Sequence, residues 1–138
     1  MKSETIAGRT RITSGAPWEE KVGYRRAVIA GDHICVAGTV AVDESGAPYA
    51  PGDAGAQAAR CLQIIVAALK EAGAGPEDVV RTRMFVTDMS PQTQGAVGAA
   101  HHAVFKDCPP ASTMVGVSAL AHPDMIIEIE VDAVRRAR

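Results

Sequence analysis

Three carboxylates, Glu128, Glu130 and Asp132, recur at every second residue near the end of the sequence. They alternate with apolar residues. Met125, Ile127, Ile129, Val131 and Ala133 fall on one face of a strand, and Ile126, Glu128, Glu130 and Asp132 on the other. Such a row of charge supports two chemistries. A carboxylate held in a semi-buried setting has a raised pKa and can orient water as a general base. Carboxylates on a solvated strand face instead pair across strands, here with Arg81 and Arg83. The second reading is favoured for Glu130 and Asp132, because most carboxylates stay exposed.

Other chemistries find less support. His33, His101, His102 and His122 form no HExxH pattern, and His101 and His102 point about 100° apart on a helix. Cys35, Cys61 and Cys108 are odd in number and contain no CxxC, so neither a disulfide framework nor a zinc site is expected. Cys35 and Cys61 sit among apolar neighbours and read as small core residues. No glycine-rich phosphate loop follows a strand, and no nucleophile elbow is present. No metal and no cofactor are expected.

The elements that must position these residues belong to one domain over residues 1–138, with 47% hydrophobic and 22% charged residues. Net charge is −2 and aromatics are 4%, which gives neither a basic field nor stacking platforms for nucleic acid. The apolar stretches are far shorter than the ~18 residues of a membrane span. Met1-Lys2-Ser3-Glu4-Thr5 lacks the apolar core of a signal peptide, so a cytoplasmic protein with reduced thiols is expected.

Residues 1–23 are weakly patterned, with one short strand expected around Arg11-Ile12-Thr13. Arg26–Ala30 and His33–Val42, joined by Gly31-Asp32, read as a β-hairpin. Asp53 caps a helix whose Leu62, Ile65, Val66 and Leu69 share one face, and Gly73 ends it. Val79–Thr87 reads as a strand with Val80, Thr82, Met84 and Val86 on one face and Arg81, Arg83 and Phe85 on the other. A second helix over Gln92–Phe105 and a strand over Ala111–Leu120 precede the final strand. The order is β-β-β-α-β-α-β-β, an α+β layout with two helices on one face of one sheet.

Several segments in this order resemble the Rid family of reactive intermediate deaminases, also called the YjgF or L-PSP family. They are Gly23-Tyr24, Val36-Ala37-Gly38, the helix from Gln57 to Gly73, Asp78–Asp88, Pro110-Ala111 and Ile127-Glu128-Ile129-Glu130. The resemblance implies a chorismate-mutase-like α+β fold, a homotrimer, and small-molecule clefts between subunits. It implies hydrolysis of an enamine or imine metabolite, with Glu128 positioning water as the catalytic residue. Tyr24, Ser112, Thr113 and Met114 fall on or beside the family's substrate-binding positions. The family's carboxylate-gripping arginine does not carry over, because Pro-Ala-Arg is Pro110-Ala111-Ser112 here, as in an arginine-lacking subgroup. Likewise Ala37, Met114 and Gly98 stand where the family has serine, cysteine and asparagine. Trp18 is expected either to lid the pocket or to anchor the N-terminal segment. The alternatives are a non-catalytic member that binds a small ligand or a protein, and the endoribonuclease or translation inhibitor of the family's older name.

Overall fold

The computed structural model describes residues 1–137. The strands are β1 (Lys2–Ile6), β2 (Arg9–Thr13), β3 (Ala27–Ala30), β4 (His33–Val40), β5 (Val79–Val86), β6 (Ala111–Gly116) and β7 (Ile127–Val134). The helices are α1 (Pro17–Val22), α2 (Ala54–Glu71) and α3 (Pro91–Phe105), with a 3₁₀ turn at Pro76–Asp78. One seven-stranded sheet runs β1-β2-β3-β4-β7-β5-β6. Every pairing is antiparallel except β5 with β6, which α3 connects as a parallel crossover.

Local sequence explains the central elements. Ala30 pairs with His33, so Gly31-Asp32 is a two-residue hairpin loop, and Gly31 takes a φ of 64° that glycine adopts without strain. The Asp53 carboxylate accepts from Ala56 N at 3.0 Å and caps α2. The α2 stripe of Leu62, Ile65 and Leu69 is buried against β4 and β7. Ile34 and Val36 of β4 meet Ile127, Ile129 and Val131 of β7 in the same cluster. Gln57 is buried within this layer. Its Nε2 donates to Asp124 O at 2.7 Å and its Oε1 accepts from Ile126 N at 2.8 Å, which fixes the chain entering β7.

Four expectations are corrected. The N-terminal region holds a full hairpin, β1 with β2, and a short helix rather than one strand. Its strands are mostly polar, with Ile12 the one buried residue of the pair, so apolar alternation could not reveal them. Its turn is Ala7-Gly8, with φ of 52° and 72°, where the usual asparagine or aspartate signal is missing. The phase of β5 slips: the ladder to β7 shifts between Val79 and Arg81, so Val79 is buried and Val80 is 48% exposed. Strand β6 stops at Gly116 rather than Leu120, because its partner β5 ends opposite at Val86. Cys35 is exposed, not a core residue; it lies on the face of β4 turned away from α2, while Cys61 is buried as expected. Burial pushes the Cys61 thiol pKa up to about 12.

The helices leave the other sheet face uncovered. That face carries Cys35 from β4, Glu128, Glu130 and Asp132 from β7, and Arg83 from β5.

Candidate functional site

Glu128 lies half-buried on β7, opposite Val40 of β4 on one side and Phe85 of β5 on the other. The β4–β7 ladder is irregular between Val36 and Thr39, and Gly38 sits in that irregularity. The carboxylate fills the space a side chain at Gly38 would need: a Cβ there would stand 2.8 Å from Glu128 Oε2 and 3.0 Å from its Cδ. Burial raises the Glu128 pKa above the usual carboxylate value, and the neighbouring Glu130 charge raises it further. Arg26 works in the opposite direction.

Arg26 organises the rest of this cluster. Its Nη1 donates to Thr39 Oγ1 at 3.2 Å and its Nη2 to Gly38 O at 3.1 Å. The guanidinium lies 5.5 Å from the centre of the Tyr24 ring. Tyr24, Arg26, Gly38, Thr39 and Glu128 therefore form one polar patch within a single chain. The sequence reading selected Tyr24 and Glu128 and missed Arg26. The hairpin held a signal: Ala27 pairs with Val36, which puts Arg26 alongside the segment leading to Gly38.

The other expected site residues lie elsewhere. Thr82 of β5 is fully buried and pairs with Ser112 of β6, so both side chains point to the helix face. The Thr82 hydroxyl donates to Ser112 Oγ at 2.8 Å and lies 2.9 Å from His101 Nε2 of α3. This polar chain was not legible in the sequence, since His101 was one of four unassigned histidines. Burial lowers the His101 pKa, and its ring packs on Phe105 with centroids 4.7 Å apart. Met114 packs against the core on the same helix face. Thr113 points the other way, in register with Arg83. Thus one chain links Glu128 to Tyr24 through Arg26 but holds Ser112 and Met114 on the opposite side of the sheet.

The remaining charges behave as their strand positions suggest. Arg83 Nη1 lies 3.5 Å from Glu130 and 3.3 Å from Asp132, the expected cross-strand pairing. Arg81 makes no ion pair among the described residues. Trp18 is 64% exposed, with Lys21 Nζ 5.3 Å from the ring centre, so it does not pack as the anchor of the N-terminal segment. That segment is anchored by buried Glu19, which accepts from Thr13 Oγ1 at 2.9 Å and from the backbone and hydroxyl of Ser14. Two surface grooves, one of about 370 Å³ beside α1 and one of about 400 Å³ between α2 and α3, contain none of the expected site residues.

This fold has close counterparts. Residues 14–135 match the family model described as Endoribonuclease L-PSP. The chain is 34% identical to the 2-iminobutanoate/2-iminopropanoate deaminase of Escherichia coli over 134 residues, 93% of this chain and 98% of that one. It is 36% identical to an uncharacterized Streptomyces coelicolor protein over 137 residues, 99% and 98% of the two chains. Its structure superposes on Mycobacterium tuberculosis Rv2704, of the YjgF/YER057c/UK114 family, with a TM-score of 0.82 and 40% identity, covering 92% of this chain and 99% of that one. The protein belongs to the L-PSP, YjgF or Rid family. No helix among the described residues is long and apolar enough to cross a membrane.

Proposed function

We propose that this chain hydrolyses an enamine, imine or related small reactive metabolite, in clefts formed between copies of a homotrimer. The observation that carries it is the Glu128 carboxylate, half-buried on Gly38 with a raised pKa, with the charge of Arg26 acting on it and Tyr24 against Arg26. A raised pKa makes the carboxylate a better proton acceptor. Glu128 takes a proton from water as the water oxygen bonds to the carbon of the protonated imine, giving a neutral carbinolamine. That proton then passes from Glu128 to nitrogen, which regenerates the carboxylate and makes ammonia the leaving group. As the carbon–nitrogen bond breaks, the hydroxyl proton goes to the departing ammonia, so the carbonyl product and ammonium are released. The relative from E. coli is named for deaminating 2-imino acids, which supports this reaction class.

The geometry supports a shared site. Glu128 and Ser112 occupy opposite faces of one sheet, and Glu128 lies in neither of the two grooves. A cleft that contains both needs Glu128 from one copy and the β6 edge of another. Closed symmetry is the common form of such assemblies, and the family resemblance favours a trimer. Tyr24 would line the Glu128 side and Ser112 the β6 side, with Thr113 at the same edge on the opposite face and Met114 supporting the strand from the core. Three free cysteines suit a reducing, cytoplasmic setting.

A second reading, a non-catalytic member that binds a small ligand or protein in the same clefts, is favoured by one observation. Ser112 stands where the family grips a carboxylate with arginine, and a hydroxyl cannot replace a planar charged fork. Ribonuclease activity is disfavoured by the net charge of −2. Ammonia release from imines generated in solution separates the readings. Hydrolysis by the wild type that is lost in Glu128→Gln and kept in Glu130→Gln supports catalysis. Turnover unchanged in Glu128→Gln removes Glu128 from the mechanism.

A further inference from the structure

At the hairpin end of the uncovered face, three side chains of different chemistry converge. His33 and Cys35 are two residues apart on β4 and point the same way. Cys35 is the direct cross-strand partner of Asp132 on β7. One imidazole nitrogen, the Cys35 sulfur and one Asp132 oxygen all lie within 4.8 Å of one another. We propose that His33, Cys35 and Asp132 bind a zinc ion, with water completing the coordination.

The donor set is the first argument. Imidazole nitrogen, thiolate sulfur and carboxylate oxygen are the three protein donors zinc takes, and the thiolate disfavours magnesium and calcium. The spacing is the second. Zinc bonds of 2.0–2.3 Å in a tetrahedron hold ligand atoms about 3.3–3.8 Å apart. Side-chain rotation closes the remaining gap, since His33 and Cys35 are both exposed within one chain. The backbone needs no movement, since the β4–β7 ladder already fixes the three Cα positions. A support for the carboxylate is the third. Arg83 Nη1 faces Asp132 Oδ2 at 3.3 Å, which leaves Oδ1 for the ion while the guanidinium orients the group. Its positive charge works against the ion, so the thiolate and imidazole must carry most of the affinity. The site is complete within one chain and does not rest on the proposed hydrolysis. No metal-binding spacing is visible along the chain because one ligand comes from a strand almost a hundred residues away.

The test uses the full-length protein in its own assembly, reduced and stripped of metal with a chelator. Zinc chloride is titrated in by calorimetry, and cobalt(II) is titrated in parallel by absorption. One zinc per chain is expected, with a sulfur-to-cobalt charge-transfer band. Cys35→Ser should abolish the band and weaken zinc binding by at least about tenfold, and His33→Gln should weaken it similarly. Cys108→Ser should leave both unchanged. Cys35 and His33 are exposed, so both variants should fold, and circular dichroism checks this. Asp132→Asn is a further arm, and the other variants decide the matter if it fails to fold. Zinc uptake below about a tenth of an ion per chain overturns the proposal, as would happen if packed copies sealed this face. So does a Cys35→Ser protein that keeps the zinc affinity and the cobalt band.

Discussion

Gly38→Ala puts a single methyl against the proposed general base. The new Cβ would stand 2.8 Å from Glu128 Oε2 and 3.0 Å from Cδ. Ordinary contact begins near 3.4 Å, so the carboxylate must shift by roughly 0.5 Å or turn away. The atom displaced is the end of a flexible side chain, so relief is cheap for the fold. Alanine also narrows the unfolded ensemble relative to glycine, a gain of about 0.4–1 kcal/mol that offsets the residual crowding. Stability should therefore change by less than about 1 kcal/mol in either direction, read as the midpoint of urea unfolding. Catalysis should suffer far more. Misplacing a reacting group by 1 Å can cost about a hundredfold, so a loss of about 10- to 100-fold in turnover is expected. Ammonia release from imines formed in solution provides the assay. A stable Gly38→Ala protein with wild-type turnover would show that the position of Glu128 over Gly38 is immaterial, and the reasoning would fail.

Other outcomes follow from the same geometry. Glu128→Gln should cut turnover by about 10²–10⁴-fold, while Glu130→Gln keeps most of it. The raised pKa means that Glu128 favours the fold when protonated, and that this contribution is lost as pH rises through the folded pKa. Glu128→Gln should therefore raise the melting temperature at neutral pH by a few degrees, through relief of a like-charge contact worth about 0.2–1 kcal/mol. A drop in melting temperature would contradict the burial argument. Activity on 2-aminoacrylate, read as pyruvate release, should be about 10- to 100-fold below that of an arginine-bearing family member, because Ser112 supplies no charge-assisted bonds. Equal rates would point to another carboxylate grip. His101 has a lowered pKa, so the unfolded chain takes up its proton first and stability falls as pH drops below about 6.5. His101→Gln should flatten that slope in denaturation measured between about pH 7.5 and 5.5, and an unchanged slope assigns it to other groups. Gln57→Leu should cost about 2–3 kcal/mol in chemical denaturation by stranding Ile126 N and Asp124 O; a neutral effect would show that water replaces the amide.

What the sequence revealed depended on where apolar burial dictates the pattern. The final strand alternates cleanly because α2 covers one face of β7 along its length, so Ile127, Ile129 and Val131 had to be buried and Glu128 had to face away. The Gly31-Asp32 turn and the Asp53 cap carry their own local chemistry. The β1–β2 hairpin does neither: it is held by backbone pairing at a sheet edge, and its turn uses an alanine at positive φ. The bulge at Val80 breaks alternation for a reason that lies in the β7 register, not in β5. The site divides in the same way. The facing of Glu128 was legible from alternation, whereas its selection over Glu130 and Asp132, and that of Tyr24, came from the family resemblance. Arg26 was not, because its role depends on the carbonyl of Gly38 across the hairpin. The opposed facing of Ser112 and Glu128 depends on a parallel pairing that single-strand patterns do not encode.

A site shared between copies is tested most directly by mixing two inactive chains. Glu128→Gln lacks the proposed base, and Ser112→Trp blocks the β6 side while its own Glu128 remains. The two are co-refolded or co-expressed in equal amounts, and mixed oligomers are isolated by differential tags. Each homogeneous variant should be inactive. Random mixing should restore about a quarter of the wild-type rate per site, because one cleft in four then pairs an intact Glu128 with an intact Ser112. Mixed oligomers with no recovered activity, although the wild type turns over, would place both residues' roles within one chain and contradict the account.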